Sequence, residues 1–191
     1  MPLFDETLLR QQTAAYKQSE RRLAALSDEQ IIQETRQAIP LGTRFDIFLS
    51  HSFADAQLIL GLFSIFQGLG YTVYIDWVVD ADLDRSEVTK ETADLLRKRM
   101  DDSKCLLYAF TENTPDSKWM PWETGYSDAR TGKVAIIPIH SGGKPAYPYK
   151  GQQYLGLYPY LIKAQDGNLW IVDPWVAFAT WLNRTRENES R

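Results

Sequence analysis

The chain is 191 residues long, 44% hydrophobic and 24% charged, with a net charge of −4. That is the profile of a globular domain able to bury a core without staples. The acidic balance speaks against a nucleic-acid-binding face. One cysteine, Cys105, excludes an internal disulfide and a thiolate zinc centre, and two histidines, His51 and His140, are too few for most histidine-metal chemistry. The longest apolar stretch, 58–66, is too short to span a bilayer. The N-terminus carries acids where a signal peptide needs bases. The expectation is a cytoplasmic protein with no metal, no membrane and no nucleic-acid partner.

Residues 1–40 read as a helical extension. Leu8, Leu9, Tyr16 and Leu23 recur at loosely helical spacing, and Ser27 with Gln30 forms a capping box before Ile31, Ile32 and Ile39. Pro40-Leu41-Gly42 marks a boundary to a second unit, 41–191. The extension reads either as an arm packed on the domain or as an oligomerisation arm.

From there strands and helices alternate. The run FDIFLS at 45–50 fits a strand buried on both faces. Residues 54–69 are apolar almost all round and end at Gly68-Leu69-Gly70, which predicts a buried helix. YTVYID at 71–76 predicts a second strand, followed by an acidic loop at 77–88. A helix is expected over 89–100, a strand over 104–110, a helix over 118–130 and a strand over 134–139. Residues 140–166, rich in Gly, Pro and Tyr, read as an ordered irregular excursion. NLWIV at 168–172 predicts strand five. Asp173 as N-cap and Pro174 in the first turn predict a last helix carrying Trp175, Phe178 and Trp181.

This alternation predicts a parallel, doubly wound sheet. Ligands in such sheets sit outside the carboxyl ends of the strands. That rim holds Ser50-His51-Ser52, Asp76-Trp77 and the loop after Phe110. No G-x-G-x-x-G, Walker A or G-x-S-x-G motif is present. Gly142-Gly143-Lys144 reads as a turn, and Cys105, inside a buried strand, as core packing rather than a nucleophile.

Three stretches in order carry a resemblance: FDIFLSHS at 45–52 with Asp55 beyond, YTVYIDW at 71–77, and SKWMPWE at 117–123 followed by GKVAIIPI at 132–139. Together the chain resembles a Toll/interleukin-1 receptor (TIR) domain. The resemblance implies a flavodoxin-like three-layer α/β fold with a central parallel five-stranded sheet. It also implies a BB loop at 77–88 through which copies self-associate. Catalytic TIR domains cleave the nicotinamide–ribose bond of NAD with a glutamate four residues after a tryptophan. Trp119 and Glu123 match that spacing, so the resemblance makes Glu123 the catalytic residue and Trp119 a substrate-binding one. His51, Ser52, Asp76 and Trp77 carry over by position as pocket-lining residues, and Arg85 is placed to reach a phosphate or a neighbouring subunit. NAD is substrate, and no cofactor is implied. Compact bacterial members serve in antiphage defence of the Thoeris kind, making a cyclic or conjugated ADP-ribose signal that activates a separate effector.

The chemistry of these residue types fits. Nicotinamide leaves NAD as a neutral molecule, so no general acid is needed. The transition state is oxocarbenium-like, and one ionised carboxylate near the ribose stabilises it. Pro121 suits a first helical turn, which places Glu123 near a helix N-terminus, where the macrodipole favours negative charge. Structural alternatives stand beside each assignment. Glu123 reads also as an ordinary first-turn glutamate, Trp119 and Trp122 as packing, His51 as a hydrogen-bonded structural histidine and Asp76 as a turn cap. Two other functions stand beside the NAD-cleaving enzyme: a non-catalytic adaptor acting by self-association, and a nucleoside deoxyribosyltransferase-like enzyme.

Overall fold

The computed structural model describes residues 4–19, 43–76, 89–114, 117–141 and 153–184. Eight strands form one sheet: β1 (Phe4–Asp5), β2 (Phe45–Ser50), β3 (Val73–Tyr74), β4 (Ser103–Phe110), β5 (Val134–His140), β6 (Tyr160–Lys163), β7 (Leu169–Val172) and β8 (Val176–Ala177). The main path runs β3-β2-β4-β5-β6-β7-β8, with β1 on β5. The pairings among β3, β2, β4, β5 and β6 are all parallel, which is the expected five-stranded parallel core. Among the described residues the α-helices are α1 (Glu6–Ser19), α2 (Ala56–Gly68), α3 (Lys90–Asp101), α4 (Met120–Thr131) and α5 (Phe178–Asn183).

Burial on both sheet faces explains the apolar strands. Ile47, Leu49, Leu107 and Ile137 pack with α1, α2 and α5; Phe48, Leu106, Tyr108 and Ile136 pack with α3 and α4. α2 is apolar all round because α1 covers the side that a surface helix would expose. The crossing is close: a Cβ on Gly61 would lie 2.4 Å from the Leu9 carbonyl oxygen, so only glycine fits. Thr13 ties the helices together, donating its hydroxyl to the Gln57 carbonyl at 2.6 Å. Asp5 caps α1 by accepting the Thr7 N–H at 2.7 Å. Thr89 caps α3 in the same way, accepting from Thr92. Gly132, at φ +66°, supplies the left-handed residue that ends α4.

Several expectations need correction. Phe4–Asp5 is not helical; it pairs with Ile139 and His140. The expected helix around Ile31 to Ile39 lies outside the described residues. The 71–76 strand shrinks to Val73–Tyr74. The fifth parallel strand is Tyr160–Lys163, inside the segment expected to be irregular, and the 168–172 run pairs antiparallel to it. The last helix starts at Phe178, not Asp173. Asp173, at φ +65°, and Pro174, after a cis peptide bond, instead turn β7 into β8.

Candidate active site

The carboxyl ends of β2 and β3 and the first turn of α4 converge at the rim where a ligand is expected. Met120 and Pro121 open α4, and the proline sits in the first turn, where its missing N–H costs nothing. The Glu123 N–H closes that turn on the Trp119 carbonyl at 2.9 Å. Glu123 is 0% exposed, an unusual location for a carboxylate. The Ser50 hydroxyl, at the end of β2 and equally buried, donates to Glu123 Oε2 at 2.6 Å.

His51 and Asp76, from the ends of neighbouring strands, form a second buried pair, with His51 Nε2 3.3 Å from Asp76 Oδ1. The Leu49 carbonyl lies 2.8 Å from His51 Nδ1 and can only accept, so that nitrogen carries a proton. The contact with Asp76 is an ion pair when Nε2 is protonated as well. Ser52 is half-buried and opens the short 3-10 turn Phe53–Asp55. Asp55 is buried and grips the loop after β4 with both oxygens. Oδ2 accepts from the Thr111 hydroxyl at 2.5 Å and Oδ1 from the Asn113 amide at 2.7 Å. The loops after β2 and β4 are thereby fixed to each other.

Trp119 is 5% exposed and packs in the α3/α4 core, edge-on to Trp122 at 5.6 Å. Trp122 in turn stacks on Tyr126 and carries Arg97 over its face. Trp77 and Arg85, with the whole 77–88 loop, lie outside the described residues. Among the candidates, then, the structure brings Glu123 to the end of β2 and His51 to Asp76. Ser50, the partner of Glu123, was placed on the rim from sequence but given no role in the site. Its signal was a polar residue closing an apolar strand at the ligand-binding end of the sheet. Cys105 is core: burial pushes its thiol far up, away from thiolate chemistry.

No protein-family model matches the chain. It is 49% identical over 150 residues to a protein of Bacillus cereus (strain MSX-D12) named probable 3′ cyclic ADP-D-ribose synthase ThsB′. That similarity spans 73% of this chain and 76% of the relative. The chain belongs to this family of bacterial TIR proteins. A second relative, of Cytobacillus dafuensis, is named putative cyclic ADP-D-ribose synthase TIR2. It is 36% identical over 84 residues, 44% of this chain and 22% of that protein. Both relatives are named as synthases, so the family is one of enzymes. Among the described residues no helix is long and apolar enough to cross a membrane.

Proposed function

We propose that this TIR protein breaks the nicotinamide–ribose bond of NAD and converts the ADP-ribose part into a cyclic or conjugated signalling molecule, in bacterial antiphage defence. The observation that carries the reading is Glu123: a carboxylate fixed by Ser50 at the ligand-binding end of a parallel sheet. It belongs to a chain about half identical to a named cyclic ADP-D-ribose synthase.

Glu123 faces the ribose and stabilises positive charge developing at its anomeric carbon as neutral nicotinamide departs. His51, Ser52, Asp76 and Trp77 line the pocket, Trp119 forms a wall behind the catalytic helix turn, and Arg85 meets a phosphate or a neighbouring copy. The burial of Glu123 supports a site that excludes water. In a dry site the oxocarbenium carbon is captured by a nucleophile held within reach, of the same molecule for a cyclic product or of a second molecule for a conjugate, rather than by water. The name of the Bacillus relative favours a 3′ ribose hydroxyl as that nucleophile. The hydroxyl oxygen forms the new bond to the anomeric carbon and its proton is released. Copies associate through the 77–88 loop, and the product acts on a separate effector.

The test is incubation with NAD, following released nicotinamide by chromatography. Release by the wild-type chain and none by Glu123→Gln is the expected result; no release by the wild type at any concentration overturns the reading.

A further inference from the structure

We infer that Ser50 is a positioning residue for Glu123, an inference that rests on the reading of Glu123 as the catalytic carboxylate. A glutamate side chain has three rotatable bonds, so its carboxylate direction is not set by the backbone alone. Here the direction is set from outside the helix. The Ser50 hydroxyl donates to Oε2 at 2.6 Å, and both side chains are fully buried.

Both ends of the bond stand on rigid elements. Ser50 is the last residue of β2 and is in register with Tyr108 of β4. Glu123 lies in the first turn of α4, closed by its own backbone bond to Trp119. A site held between a strand end and a helix turn keeps the sub-ångström tolerance that charge stabilisation needs. An ionised carboxylate offers about four acceptor positions, and Ser50 occupies one of them, which sets the orientation in which the others meet a ribose. Ser50 does not touch substrate in this account; it acts through Glu123.

The test compares Ser50→Ala, Ser50→Thr, Glu123→Gln and the wild type in NAD cleavage, with kcat and KM measured separately and folding followed by thermal unfolding. Ser50→Ala keeps the shape and removes the donor. Its kcat is expected to fall by up to about 100-fold, the scale of misplacing a reacting group by about 1 Å, with KM changed less than threefold or so. Ser50→Thr keeps the hydroxyl and recovers most of the loss. A Ser50→Ala variant that is folded and retains wild-type kcat overturns the inference. So does a loss confined to KM, or a Ser50→Thr variant that is folded but as slow as Ser50→Ala. If Glu123→Gln itself keeps full activity, the catalytic reading falls, and the inference with it. A dead Glu123→Gln beside a fully active Ser50→Ala removes the positioning role alone.

Discussion

Glu123 and Trp119 are joined one helical turn apart by a backbone hydrogen bond of 2.9 Å, yet their side chains go to different surroundings. The Trp119 ring lies edge-on to Trp122 in the core, while the Glu123 carboxylate bonds Ser50 at the rim. The two substitutions should therefore separate. Trp119→Ala is expected to cost about 3–5 kcal/mol of stability, the range for emptying a buried aromatic site. Glu123→Gln should remain folded while NAD cleavage falls at least ~100-fold. Chemical denaturation and an activity assay on the same two variants check both.

The crossing of α1 over α2 makes a second prediction. At Gly61 a methyl group would meet backbone, not a movable side chain, at the Leu9 carbonyl. Gly61→Ala is expected to destabilise by about 1–3 kcal/mol through overpacking, despite the usual gain of alanine over glycine inside a helix. An unfolding midpoint equal to or above the wild type would show that α1 is held less tightly than the geometry implies.

Asp46 supplies the pH dependence. Burial works to raise its pKa, but hydrogen bonds from Lys104 and Thr72 outweigh burial and hold the carboxyl below its ordinary value of 3.8. Lys104 Nζ lies 2.7 Å from Oδ1. A carboxyl depressed in the folded state contributes stability above its unfolded value, and that contribution is lost as pH falls through the folded value. Below about pH 4 the wild type should lose stability faster than Asp46→Asn, whose side chain does not titrate. Parallel pH–stability curves for the two proteins would contradict this.

Self-association is the fourth prediction. If a neighbouring copy's 77–88 loop completes the site, specific activity rises with protein concentration. A dilution series giving constant specific activity, together with a monomer by sedimentation, would show that each chain works alone.

Much of the architecture was legible in the sequence because burial on both sheet faces leaves a plain signal. The runs at 45–50, 104–110 and 134–139 could only be interior strands, and all three are. Tyr160–Lys163 was hidden because four residues after a proline- and tyrosine-rich stretch have no periodicity to read. Asp173-Pro174 misled because the same pair suits a helix start and a tight turn. The turn prevailed because β7 and β8 pair directly across it. Phe4–Asp5 was missed because a two-residue strand is defined by its partner, Ile139–His140, and not by its own pattern. At the site, spacing placed Glu123 in a first helical turn, and Pro121 stands there as expected. It could not reveal the bond between Ser50 and Glu123, since residues 73 positions apart meet only through the tertiary fold.

The account turns on the fate of the ribose carbon after nicotinamide leaves. The most direct measurement is mass spectrometry of the products made from NAD by the concentrated wild-type protein, with Glu123→Gln as control. The account predicts nicotinamide together with a species lighter than linear ADP-ribose by one water, or a conjugate of it, and neither from the variant. Linear ADP-ribose as the sole second product would contradict capture by a nucleophile other than water and leave a simple NAD hydrolase.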